Sequence, residues 1–248
     1  MKFNRILFCC AVLFVVLFSH FFCYAEDFIL HEGFSYEDIP AEIQNFMAKN
    51  SYKENEYVKF EDLKLCKVLY FGFDGKEHEG ELVVAHKVNS PIDGETVNVA
   101  KEVLEIFYEL YEAKYPICKM RLIDYYGADD ELSMKDNNSS AFNFRYINGT
   151  RNISWHSYGL AIDINPFVNP CFSPNSNITE PDGAEKFLNR NLEQLGIIKE
   201  GDACHKAFTS RGWDWGGSWN CPIDYMHFQK YPWYVSRPNP KYLITHLS

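Results

Sequence analysis

Basic residues are scarce in this 248-residue chain: 24 Lys and Arg stand against 34 Asp and Glu, a formal net charge of −10. That deficit argues against nucleic acid or an anionic membrane surface as the main partner, and leaves uncharged or amphoteric substrates open. No Cys-x-x-Cys pair occurs, so nothing supports a cysteine zinc site. No internal repeat and no low-complexity linker interrupts the chain, so there is no internal domain boundary to defend.

What is present begins with a leader. Lys2 and Arg5 precede the apolar run Ile6 to Phe18, and Cys23-Tyr24-Ala25 offers a small-x-small cleavage site ahead of Glu26. Residues 1–25 are therefore expected to be a signal peptide that is cleaved. The alternative is a retained anchor, although the apolar core is short for a spanning helix of ~20 residues. Phe21 and Phe22 before Cys23 argue against lipid attachment. The expected location is periplasmic or extracellular, with no stable membrane association after cleavage. Without Lys2 and Arg5 the net charge is −12.

Five cysteines follow the leader: Cys66, Cys118, Cys171, Cys204 and Cys221. An odd number permits at most two disulfides in an oxidising compartment, and the pairing is not readable from sequence. Cys66 and Cys118 lie in apolar runs and read as buried thiols, while Cys204 and Cys221 flank a Gly/Trp loop and are the first pair to test. Asn-x-Ser/Thr triplets start at Asn137, Asn138, Asn148, Asn152 and Asn177, and matter only in a eukaryotic secretory pathway.

Patterning predicts an α+β fold, a largely antiparallel sheet flanked by helices. Ile39 to Lys49 reads as a helix. Leu65 to Phe73 and Gly80 to Val88 read as a hairpin joined through Asp74-Gly75. Asn98 to Lys114 is a helix with Val99, Val103, Ile106, Phe107 and Leu110 on one stripe and Asn98 as N-cap. Ile117 to Tyr126 and Ala141 to Ile147 read as strands, with a polar loop from Gly127 to Ser140 between them and Asn148-Gly149 as a turn. Asp182 to Leu195 reads as a second helix, ended by Gly196.

The chemistry concentrates in Ser154-Trp155-His156-Ser157-Tyr158-Gly159-Leu160-Ala161-Ile162-Asp163 and in Asp224-Tyr225-Met226-His227. Two histidines and one carboxylate make three protein ligands, which is the number a catalytic zinc keeps while leaving one position open. Gly159 to Asn165 alternates as a strand, so His156 and Asp163 fall on opposite faces unless the chain doubles back at Gly159. Asp224 likewise misses the face of His227 in a strand Tyr225 to Lys230 unless it lies just before that strand, where the chain still turns. From there it could take a proton from water at the metal. Spacings of H-x6-D and D-x2-H arise by chance, and His31, His78, His86, His205 and His246 read as packed or surface residues.

The full string Ser154-x-His156-x-x-Gly159-x-Ala161-x-Asp163, with Asp224-x-x-His227-Phe228, resembles the zinc peptidases of bacterial cell-wall peptides. These are the D-alanyl-D-alanine carboxypeptidases and dipeptidases and the L-alanyl-D-glutamate endopeptidases, which share the hedgehog/DD-peptidase fold. The resemblance is strongest from about Ser139 to Phe228. It implies a single zinc peptidase domain over 26–248, with an N-terminal extension over about 26–79 and a metal-binding core over about 80–235. It implies one Zn2+ held by His156, Asp163 and His227, with Asp224 as general base and Arg145 polarising the scissile carbonyl. It also implies peptidoglycan stem peptides as substrate, and a monomer is expected. Trp213 to Trp219 is similar to the family's Trp-Gly-Gly loop near the cleft. Members that act on D-Ala-D-Ala commonly have Glu three before the last His; Asp224 is more like the endopeptidase branch. The contrasting reading is a non-catalytic, zinc-stabilised binding module of the same fold.

Overall fold

The computed structural model describes residues 27–89, 95–147 and 150–231; the leader and the Asn148-Gly149 turn lie outside them. The first half contains β1 (Phe28–His31), β2 (Phe34–Glu37), α1 (Ala41–Lys49), β3 (Leu63–Phe71), β4 (Glu77–Ala85), β5 (Lys87–Asn89), β6 (Thr96–Asn98) and α2 (Val99–Glu112). Next come β7 (Lys119–Met120), α3 (Asp130–Lys135), β8 (Asn138–Ser139), β9 (Ala161–Asp163), β10 (Cys171–Ser173) and β11 (Ile178–Glu180). The last elements are α4 (Ala203–Thr209), β12 (Trp213–Trp215), β13 (Ile223–Asp224) and β14 (His227–Lys230). The fold is α+β. Among the described residues every pair of named strands but the parallel β7–β8 is antiparallel.

Two of the sheets position everything else. One has the order β1-β2-β3-β4 and the other β12-β14-β9. Helix α2 lies between them, because its stripe of Val99, Val103, Ile106, Phe107 and Leu110 is fully buried. Cys66, Val68, Leu82 and Val84 of the first sheet share one core with Phe208 of α4 and Phe228 of β14. Phe208 stacks on Phe228 at 4.1 Å between ring centres and meets Phe107 edge-on. Asn98 caps the helix, its side chain accepting from the Lys101 N–H at 2.9 Å. A boundary at 79/80 would cut through β4 and split this shared core, so residues 28–85 form one wall of the domain.

Several predicted elements differ, each for a local reason. Ile117 to Tyr126 shortens to β7 and a 3-10 turn, Ile123–Tyr126. Asparagine side chains take the place of a neighbouring strand: Cys118 N–H donates to Asn165 Oδ1 and Arg121 N–H to Asn138 Oδ1. Ala141 to Ile147 forms no ladder, because its amides bond three different segments. Phe142 donates to Val83 O, Asn143 to His156 O and Phe144 to Ser51 O. The loop 127–140 contains α3, capped by Asp129.

Between Asp182 and Leu195 the one helical element is the 3-10 turn Glu185–Leu188. The Arg190 guanidinium there bonds the carbonyls of Val168, Phe187 and Ile198, and the Asn189 side chain bonds the Asn191 N–H. Both interactions compete with helical bonding. All five cysteines are free; Cys204 is buried in the core and Cys221 is exposed, so the Cys204–Cys221 bridge is not formed. Among the described residues no helix is long and apolar enough to cross a membrane.

The join between the two halves is tight at Gly159. Its backbone is left-handed (φ 67°), and an added Cβ would lie 2.5 Å from Ala85 N and 2.9 Å from Val84 C. The close approach lets Ala85 N–H donate to Gly159 O at 2.9 Å. Gly75 has a similar φ of +73° with nothing within 4 Å of such a Cβ. Gly75→Ala should therefore cost about 1–2 kcal/mol in denaturant unfolding, and Gly159→Ala about 1–3 kcal/mol more. Equal costs would contradict the packing assigned to Gly159.

Candidate metal centre and active site

The site is assembled from a turn and two strands. Trp155–Tyr158 is a 3-10 turn opened by Ser154, whose hydroxyl accepts from the His156 N–H at 3.3 Å. Gly159 then reverses the chain into β9, which runs antiparallel to β14 with Asp163 opposite His227. Opposed residues on paired strands share a face, so the strand register supplies two of the donors and the Gly159 reversal brings the third. The chain doubles back at Gly159, as the parity of His156 and Asp163 requires.

The donor atoms converge. His156 Nε2 lies 3.2 Å from His227 Nδ1 and 3.2 Å from Asp163 Oδ2, and His227 Nδ1 lies 3.0 Å from Asp163 Oδ1. Among the described residues this is the one group of three or more such side chains close enough to hold a metal ion. A tetrahedral zinc with bonds of about 2.0–2.1 Å separates its ligands by about 3.3 Å, so the spacing fits. The far side of each ring fits as well. His156 Nδ1 is 2.6 Å from Ala141 O and His227 Nε2 is 2.9 Å from Gln229 Oε1. A carbonyl only accepts, so the outer nitrogens carry the protons and, in the neutral rings, two lone pairs face each other across 3.2 Å. A cation between them, beside a carboxylate, removes that repulsion.

Electrostatics point the same way. Burial opposes the charge on Asp163, but the His156 charge and hydrogen bonds from both rings outweigh it and hold the carboxyl well below the usual range. Burial likewise opposes a charge on His227, yet the Asp163 hydrogen bond and charge raise it to about 9. A proton on His227 Nδ1 and a cation therefore compete for the same place beside Asp163.

Asp224 sits beside this group by a route the alternation alone did not fix. It ends β13, where it opposes Cys171 of β10, while His227 opens β14 in a different sheet. Tyr225 and Met226 make the break: Ile164 N–H bonds Met226 O at 3.0 Å and the Trp215 indole bonds Tyr225 O at 3.0 Å. Asp224 Oδ1 is buried with no hydrogen-bond partner. Burial, reinforced by Asp163, raises the carboxyl to about 6 against the pull of both histidines, and the Cys171 thiol stands alongside. Gly216 makes room: a Cβ there would lie 2.6 Å from Asp224 O and 2.9 Å from its Cβ.

Arg145 is stitched beside the His156 turn by its backbone, donating to Ser157 Oγ at 2.8 Å and accepting from Ser154 N–H at 3.1 Å. Its guanidinium pairs through Nε with Asp130 of α3. Of the tryptophans, Trp213 and Trp215 are core residues. Trp219 leans on His227 at 5.6 Å between ring centres and donates to Asp214 Oδ2 at 2.8 Å. Sequence reasoning missed Ala141 O, Gln229, Gly216 and Asp130. Only Gln229 left a signal, since it alternates onto the face of His227.

A family model described as D-alanyl-D-alanine carboxypeptidase matches residues 148–230, a stretch that holds His156, Asp163, Asp224 and His227 and begins just after Arg145. The chain resembles the D-alanyl-D-alanine carboxypeptidases. That resemblance supports a peptidase, and the His-Asp-His group is one that could bind a metal. No curated protein and no solved structure gave a significant match.

If the ion displaces the His227 proton, its affinity must fall as pH drops below about 9. Zinc titrated into metal-free protein should bind about tenfold more tightly per unit between roughly pH 6 and pH 8. It should also release about one proton per ion. A pH-independent affinity would contradict the arrangement.

Proposed function

We propose that the chain is a zinc-dependent peptidase that hydrolyses peptidoglycan stem peptides outside the cytoplasm, as a monomer, after loss of its leader. The observation that carries this reading is the convergence of His156, Asp163 and His227 next to an unpaired, buried carboxylate oxygen of Asp224. Three donors without a nearby base would serve a structural ion equally well. The added carboxylate has no hydrogen-bond partner on Oδ1, which leaves that oxygen open to take a proton.

His156, Asp163 and His227 would hold the ion, which supplies a Lewis acid able to make water nucleophilic at neutral pH. Asp224 takes the proton of the attacking water and returns it to the leaving amine, so the two halves of the peptide part as carboxylate and amine. Arg145 holds the negative charge that builds on the scissile oxygen, with Asp130 fixing its guanidinium. Ala141 O keeps the His156 imidazole aimed.

Asp224→Ala should retain zinc while losing about 10²–10⁴-fold in kcat on purified stem peptides. Arg145→Ala should retain zinc and lose about 10²–10³-fold. Metal content measured with steady-state rates decides both. Full turnover in either zinc-loaded variant would remove the role given to that residue.

A further inference from the structure

Behind His227 lies a hydrogen-bond chain that the proposed reaction does not use. Gln229 is 4 % exposed, and its amide lies between His227 Nε2, 2.9 Å from Oε1, and the Tyr231 hydroxyl, which accepts from Nε2. The Tyr231 hydroxyl in turn bonds the Asp214 carboxylate. Asp214 faces Gln229 across the β12–β14 pair and accepts the Trp219 indole N–H at 2.8 Å. Trp155, the residue before His156, packs edge-on against Tyr231 at 5.1 Å.

The direction of this chain is set from its far end. A carboxylate can only accept, so Tyr231 must spend its one proton on Asp214. The Tyr231 oxygen is then left to accept, which calls the amide N–H of Gln229 toward it. The amide oxygen must therefore face His227, and it holds a proton on Nε2. His227 is left with its lone pair on Nδ1, the nitrogen that faces His156 and Asp163.

We infer that Gln229, oriented by Tyr231 and Asp214, is a positioning residue that fixes His227 as a metal ligand through Nδ1. This deepens the proposed function and rests on His227 being a ligand. Without the chain the ring could place its proton on Nδ1, turning the donor away from the ion. Asp214 thus acts on the metal centre from the strand next to β14, without touching the ion or the substrate.

The test compares zinc affinity, by chelator competition, for wild type, Gln229→Leu and Gln229→Glu, and reads ring ¹⁵N shifts of His227 in the zinc-loaded wild type. Gln229→Leu cannot accept from Nε2–H and should weaken zinc by about 10–100-fold. Gln229→Glu loses the donor to Tyr231 but keeps an acceptor for His227 Nε2–H, so it should hold zinc more tightly than Gln229→Leu, which separates lost orientation from lost folding. The zinc-loaded wild type should show Nε2 protonated. Unchanged affinity in Gln229→Leu, a Gln229→Glu as weak as Gln229→Leu, or an unprotonated Nε2 would overturn the assignment. A wild type that takes up no zinc would overturn the metal site itself, and this role with it.

Discussion

Two imidazole nitrogens and a carboxylate held within 3.2 Å of one another are the constraint on which the rest depends. Left as neutral lone pairs, His156 Nε2 and His227 Nδ1 repel. A proton or a cation between them makes the cluster stable, and the outer hydrogen bonds to Ala141 O and Gln229 decide that the inner nitrogens stay available for one. A buried charge cluster is costly unless each member has its partner. Here the partners come from four separate segments, so the cluster forms only when the whole domain has folded.

Those segments are aligned by packing remote from the metal site. The α2 stripe ties the β1–β4 sheet to the β12-β14-β9 sheet through Phe107, Phe208 and Phe228. The Gly159 turn is pinned to β4 by the Ala85 bond, and Phe142 is pinned to Val83. The same first sheet that carries no catalytic chemistry thus sets where His156 and Ala141 stand. On the other side, Gly216 lets Asp224 come close, and a side chain there would push against its backbone. Lys230 adds a buried tie to Glu102 of α2 at 2.9 Å, fixing the C-terminal end of β14.

The parts legible in the sequence were those with a strong local period or a forced parity. The α2 stripe, the β3–β4 hairpin and α1 follow from spacing. The reversal at Gly159 followed from geometry, because seven residues on a strand cannot put His156 and Asp163 on one face. Elements whose partners are distant side chains were not legible. Asn138 and Asn165 replace strand neighbours near β7, and Arg190 unwinds what composition alone makes a helix. Cys204 looked available for pairing because it flanks a loop, yet it faces the core from α4. The roles of Gln229 and Asp214 required the fold, since one lies two residues from a ligand and the other arrives from the strand beside it.

Cleavage of wall peptides by the convergent metal site beside Asp224 is the point on which the proposed function stands or falls. Purified peptidoglycan digested with the zinc-loaded protein, and with the same protein stripped by chelator, should be compared by mass spectrometry of the new termini. Zinc-dependent release is expected, with new D-Glu amino termini if the chain cuts within the stem and free D-Ala if it trims the end. A zinc-loaded protein that leaves every stem peptide intact would contradict it.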